Sequence, residues 1–282
     1  MHSDVSDIGQ TLLDRWPAAH LSVAVLGRDG IVASTGDLDR VYRLASVTKP
    51  LVATAVLLAV EEGSLDLDQP AGPPGATLRH LLSHASGVSP DDPATTLAAP
   101  GTRRIYSNAG YELAANALAE ATGISIHDYL AEGVCAPLSM TRTALTGPAG
   151  FGAFSTVGDL ANWLGTWIAP GRLLDGSTVA EATSTQFPDL DGVLPGYGTH
   201  KPNPWGLGFE IRGTKSPHWT GAQNSPRTFG HFGQSGTFVW VDPVLELGVV
   251  ALGDADFGVW AVELWSALND TIISHFAHFA HH

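Results

Sequence analysis

Ser46 and Lys49 stand three residues apart in Leu44-Ala45-Ser46-Val47-Thr48-Lys49-Pro50, directly before the most apolar stretch of the chain, Leu51 to Val60. Lys49 is one of only three lysines, and the other two, Lys201 and Lys215, fall in Pro/Gly-rich segments. At the start of a helix, positions i and i+3 share a face, so the ammonium approaches the hydroxyl. A buried lysine loses proton affinity by desolvation and can take the serine proton near pH 7. The helix N-terminus also favours developing negative charge. The chemistry these residues offer is an activated serine hydroxyl that can act as a nucleophile. Ser-x-x-Lys alone is short enough to arise by chance, so the rest of the chain has to supply the context.

Further along come Pro100-Gly101-Thr102 leading into Tyr106-Ser107-Asn108, and then His231-Phe232-Gly233. Leu81-Leu82-Ser83-His84-Ala85-Ser86-Gly87, Phe154-Ser155-Thr156, Gly206-Leu207-Gly208-Phe209 and Gly233-Gln234-Ser235-Gly236 stand between and beside them. In this order, from about Leu44 to Pro243, the chain resembles the serine β-lactamase and penicillin-binding-protein superfamily. Tyr-x-Asn as second motif resembles the branch of class C β-lactamases, D-alanyl-D-alanine carboxypeptidases, D-aminopeptidases and β-lactamase-like carboxylesterases. The resemblance implies Ser46 as nucleophile, with Lys49 and Tyr106 sharing the proton transfers. It implies an oxyanion site made by the amides of Ser46 and Gln234, and Asn108 orienting Lys49 and the acyl side chain. His231 and Gly233 then belong to the substrate-binding third motif.

The chain departs from the lactamase pattern at His231, where a permanently charged lysine is usual; a histidine titrates near neutrality, which argues against lactamase activity. Read without the resemblance, Tyr106 could pack at a helix entrance, Asn108 could cap the helix from Gly110, and His231 could be a buried strand histidine. His84 is assigned to structure, as a side-chain donor meeting free carbonyls at a helix end. The long segment from Gly213 to Thr228 is expected to wall the acyl or leaving-group pocket with Trp219, together with Pro188 to Pro204.

The elements that must position these groups follow from periodicity. Ile8, Leu12, Leu13 and Trp16 predict an N-terminal amphipathic helix, and His20 to Leu26 with Ile31 to Thr35 a hairpin around Arg28-Asp29-Gly30. Trp205 to Arg212, Thr237 to Val241 and Leu247 to Leu252 read as strands, and Val259 to Phe279 as a long helix. Helical periodicity covers Thr77 to His84, Gly110 to Thr122, Ser125 to Val134, Thr156 to Ile168 and Ser177 to Gln186. Capping boxes are expected at Ser125/Asp128, Thr156/Asp159 and Thr178/Glu181. The predicted fold is α+β, an antiparallel sheet flanked by N- and C-terminal helices. Residues 1–66 and 205–282 would form the sheet domain and 67–204 an inserted helical domain, with the site in the cleft between them.

Composition removes several function classes. Lys plus Arg number 14 against 28 Asp plus Glu, a net charge of −14 that repels phosphate backbones, so no nucleic-acid partner is expected. The single cysteine, Cys135, rules out an intrachain disulfide or a multi-cysteine zinc site. No signal peptide and no membrane-length apolar run is visible, which reads as cytoplasmic with no membrane partner. His275, His278, His281 and His282 cluster at the C-terminus but are not read as a metal site, and no cofactor is expected. Gly-x-Ser-x-Gly, His-Glu-x-x-His and phosphate-loop motifs are absent. The expected function is a carboxylesterase on small esters. A D-amino-acid peptidase or DD-carboxypeptidase stands second, a weak β-lactamase third, and an idle binding homologue is the rival from another class.

Overall fold

The computed structural model describes residues 3–4, 10 and 13–276. In chain order the strands are β1 (Ser3–Asp4), β2 (Leu21–Gly27), β3 (Gly30–Thr35), β4 (Tyr42–Arg43), β5 (Ala144–Leu145), β6 (Ala153–Ser155), β7 (Gly192–Leu194), β8 (Gly198–His200), β9 (Glu210–Ile211), β10 (Phe229–Gly233), β11 (Thr237–Asp242) and β12 (Leu247–Gly253). Seven form the main sheet in the order β1-β3-β2-β12-β11-β10-β9. Every pairing in it is antiparallel except β1 with β3, which is parallel.

Period-two alternation along the central strands divides two apolar layers. Val23 and Val25 of β2, Phe238 and Trp240 of β11, and Val249 and Ala251 of β12 face the C-terminal helix Val259–Phe276 through Leu264, Trp265, Leu268 and Ile272. Ala24 and Leu26, Val239 and Val241, and Val250 and Leu252 face the other way, into a larger core built on the helices Thr48–Glu61 and Val157–Ile168. The N-terminal helix expected from Ile8 and Leu12 rests on residues outside those described. Leu13 and Trp16 are buried, and Trp16 packs against Phe238 and Trp265.

The Thr48–Glu61 helix is apolar on all sides, and eleven of its fourteen residues are buried. A helix with no polar face has to run through a core, and this one carries Lys49 inside with it. The strand predicted over Trp205 to Arg212 shrinks to β9. Gly208 sits at φ +93, where a Cβ would lie 2.4 Å from Ala53 Cβ, so the backbone turns against the Thr48–Glu61 helix instead of extending.

Among the helix starts, Ser125 and Thr156 accept the amides of Asp128 and Asp159 as expected. The box at Thr178/Glu181 does not form, because Asp175 caps the helix Gly176–Ala182 three residues earlier through the Ser177 amide. The helix expected over Ser125 to Val134 divides into Ile126–Tyr129 and a π-helical Leu130–Cys135. The helix Val157–Ile168 lies within the segment 67–204 but packs on β2, β3, β11 and β12. The larger core therefore runs unbroken across the expected domain boundary.

Candidate active site

Ser46 lies in a 3-10 turn, Ala45–Val47, that runs directly into the Thr48–Glu61 helix. Ala45 is held at φ +47, a left-handed conformation costing a non-glycine residue about 1–3 kcal/mol. The surroundings over-determine it. Leu44 N–H donates to Ala153 O at 3.0 Å, Thr237 Oγ1 donates to Leu44 O at 2.9 Å, and Ser235 Oγ donates to Arg43 O at 2.6 Å. Gly233 makes this approach possible, since a Cβ there would lie 2.3 Å from Leu44 O and 2.5 Å from Thr237 Oγ1. The glycine of the third motif thus seats the end of β10 against the turn that carries Ser46.

Lys49 is completely buried. Its Nζ donates to Asn108 Oδ1 at 2.6 Å and to Gly150 O at 2.8 Å, lies 3.4 Å from Ser46 Oγ, and stands 4.5 Å above the centre of the Tyr106 ring. Desolvation lowers its pKa to about 7, against the opposing pull of Asp91 and Glu112. A neutral amine has two N–H groups and one lone pair. The two acceptors engage both N–H groups and leave the lone pair for the third direction, where the Ser46 hydroxyl stands.

Tyr106 is half-buried beside Ser46, and desolvation pushes its phenol far above the ordinary range although the Ser46 hydroxyl pulls the other way. It holds its proton at neutral pH. The alternative of Asn108 as helix cap is settled by its neighbour. Ser107 Oγ accepts the Gly110 amide and caps Asn108–Thr122, which frees Asn108 to reach Lys49 and, through Nδ2, Asp91 Oδ1 at 2.9 Å.

Beside Ser46 is a cavity of about 90 Å³ lined by Tyr106, Leu194, Pro195, Trp205, Glu210, His231, Phe232 and Gln234. Two expectations need correction here. His231 does not titrate near neutrality. Burial, with Lys49 nearby, lowers its pKa to about 3. Its Nδ1–H donates to Phe232 O at 2.7 Å, so the neutral ring keeps Nε2 as an acceptor, and that buried atom has no partner among the described residues. His231 is therefore no cationic anchor for a substrate carboxylate.

Trp219 does not wall the cavity. It sits one layer behind, 1% exposed, packed on Phe232 and Phe238, with its indole N–H donating to Glu210 Oε2. The loop from Gly213 to Thr228 turns inward because it carries the partners of a buried carboxylate. Lys215 forms an ion pair with Glu210, and His218 Nε2 lies 2.8 Å from the same oxygen. Thr220 N–H donates to His218 Nδ1, so the neutral ring donates from Nε2 to Glu210. Burial alone would raise the Glu210 carboxyl; Lys215 and His218 outweigh it and hold it well below the usual carboxylate range. Replacing Glu210 with leucine strands a buried ammonium, a loss of about 3–5 kcal/mol of stability. Denaturant unfolding of Glu210→Leu checks this, and Glu210→Leu with Lys215→Met is expected to recover most of the loss.

Sequence reasoning did not single out Glu210, Trp205, Gly150 or Asp91 as parts of the site. Glu210 had one available signal, an acidic residue directly after Gly206-Leu207-Gly208-Phe209 in an otherwise apolar run. Gly150 had none, since it acts through a carbonyl.

A family model described as Beta-lactamase matches residues 18–264, and the chain belongs to that family of hydrolases in the serine β-lactamase and penicillin-binding-protein superfamily. A solved beta-lactamase from Mycobacterium bovis is 52% identical and superposes with a TM-score of 0.93, covering 95% of this chain and 99% of that one. D-alanyl-D-alanine-carboxypeptidase/endopeptidase AmpH of Escherichia coli is 29% identical over 145 residues, 39% of this chain and 38% of AmpH. Esterase EstB of Burkholderia gladioli is 44% identical over 64 residues, 18% of this chain and 16% of EstB. The chain thus spans well under half the length of these two curated relatives.

Proposed function

We propose that this chain is a carboxylesterase acting on small, uncharged acyl groups through an acyl-enzyme on Ser46. The observation that carries the reading is the lining of the cavity. Among the described residues, no lysine or arginine lines it, His231 is neutral, and the one charged group is the Glu210 carboxylate. A substrate carboxylate, as in a D-alanyl-D-alanine terminus or a β-lactam, would enter a low-dielectric space without a counter-charge, and stranding a buried charge costs several kcal/mol. A neutral ester meets no such penalty.

In the reaction, neutral Lys49 takes the Ser46 proton as Oγ attacks the ester carbonyl. The oxyanion forms against the first-turn amide of Ser46 and the amide of Gln234 in the turn after β10, donors usually worth a few kcal/mol each. Tyr106, protonated and beside Ser46, relays a proton to the departing alkoxide. Water then attacks the acyl-enzyme with the roles reversed. The 3.4 Å separation of Lys49 from Ser46 is long for a hydrogen bond, and such contacts tighten in the substrate complex.

At about 90 Å³ the cavity is smaller than the ~150 Å³ that accepts a benzene ring, which suits a short acyl chain such as butyryl. The test compares the nitrophenyl esters of butyrate, decanoate and succinate with a peptide ending in D-alanyl-D-alanine. Butyrate is expected to exceed succinate in kcat/KM by about 10²-fold, the equivalent of ~2.7 kcal/mol. Equal rates for butyrate and succinate, or faster release of D-alanine from the peptide, would transfer the assignment to the peptidase activity that names several relatives.

A further inference from the structure

We infer that His84 is the positioning residue for Tyr106, holding the second motif in register by accepting hydrogen bonds on both sides of that tyrosine. The inference rests on the serine-hydrolase reading of the site. His84 follows the short helix Leu78–Leu82 and stands at φ +58. Its role differs from the expectation of a donor meeting helix carbonyls. His84 Nδ1 accepts the Ser107 amide at 3.1 Å, and its own carbonyl accepts the Ile105 amide at 2.9 Å. One residue thus grips the chain immediately before and immediately after Tyr106.

The ring completes the grip. It lies 4.5 Å from the Tyr106 ring at 37°, meets Trp205 edge-on at 4.7 Å, and has Tyr111 at 5.4 Å. Only Nδ1 without a proton can accept the Ser107 amide, so the ring is either neutral or unable to hold that bond. Complete burial beside Lys49, His231 and Arg104 keeps it neutral. The segment behind it is fixed as well. Ala85 O accepts the Gly101 amide, Gly87 O accepts the Leu97 amide, and a Cβ on Gly87 would lie 1.9 Å from Ala98 O. His84 therefore transmits the position of a rigid segment to Tyr106, and through Ser107 to Asn108, the acceptor of Lys49. It does not itself line the cavity but packs on two side chains that do, Tyr106 and Trp205, so its effect on rate runs through them and through Asn108.

The test exploits the left-handed backbone, which both asparagine and glycine tolerate. Asparagine places Oδ1 where Nδ1 stood, whereas glycine removes the acceptor. His84→Gly is expected to lower kcat on nitrophenyl butyrate about 30- to 100-fold with KM within twofold, since a displacement near 1 Å costs about that much. His84→Asn is expected to recover kcat to within fivefold of the parent. Equal kcat in the two variants, whether both retained or both lost, would overturn the inference. If His84→Gly does not fold, His84→Gln takes its place, because glutamine places its terminal group near Nε2 and not Nδ1; kcat in Gln equal to that in Asn is then the overturning result. Failure of the underlying reading is a separate outcome. It shows as ester turnover by the parent protein that survives Ser46→Ala, or as no turnover and no phosphonate labelling of the parent at all.

Discussion

Ser46→Ala is expected to reduce ester turnover by about 10⁴-fold or more, to a rate indistinguishable from background, while leaving the fold intact. The size follows from the role. A nucleophile that acts as one unit with its base cannot be replaced by its partners, and removing it forfeits nearly the whole of their joint effect. The intact fold follows from the surroundings. Ser46 is partly exposed, its side chain's contact with Lys49 is a long 3.4 Å, and the turn it occupies is held by the backbone carbonyls of Arg43 and Leu44. Substitutions away from packed or bonded groups usually change stability by no more than about 0.5 kcal/mol. Thermal unfolding and turnover should therefore separate cleanly. A fluorophosphonate probe should label the parent protein stoichiometrically on the peptide containing Ser46 and leave the variant unlabelled. Labelling of the variant, or turnover shared by both proteins, would show that another group attacks the ester.

The parts of this site that were legible in the sequence are those set by local order. Ser46 and Lys49 are linked by one helical turn; that Tyr106 and Asn108 meet them is what the resemblance in motif order implies, since local reading alone leaves a packing ring and a helix cap. Gly233 was legible as a motif member, though its reason, the 2.3 Å approach to Leu44 O, is visible only in three dimensions. What could not be read depends on burial and on contacts between distant segments. His231 looks like a titrating group until its enclosure by Tyr106, Trp205 and Phe232 is known. Trp219 looks like a pocket wall because a long loop with an aromatic residue so often is one. Its destination is decided by Glu210, nine residues away, whose carboxylate also draws in Lys215 and His218. No periodicity signals an ion cluster of that kind. In the fold, the central strands were legible because their alternation is complete. The strand at Trp205 to Arg212 was not, since the close approach of Gly208 to Ala53 is a tertiary constraint.

The burial of Lys49 at the start of the apolar helix Thr48–Glu61 makes the pH profile diagnostic. With the Lys49 pKa lowered to about 7 by desolvation, kcat/KM is expected to rise tenfold per pH unit below that value and level off above it. The sign follows from the form required: the neutral amine accepts the serine proton, and its fraction grows as pH rises through the pKa. The neighbours do not compete for this limb. His231 loses its proton near 3, His84 lies well below its ordinary value, and Tyr106 keeps its proton far above neutrality. Two variants divide the roles of the amine. Lys49→Met fills the space without a base, and Lys49→Arg supplies a permanent charge that cannot accept a proton. Both are expected to lose about 10³-fold or more in kcat, within the span that general-base catalysis and positioning usually contribute together. An electrostatic role alone would leave Lys49→Arg far more active than Lys49→Met, and a profile flat from pH 5 to 8 would remove Lys49 as the base. Asn108→Leu adds a sign test. It deletes the acceptor 2.6 Å from Nζ and, with it, the contact to Asp91, so the ammonium loses stabilisation and the limb should move to lower pH as kcat falls.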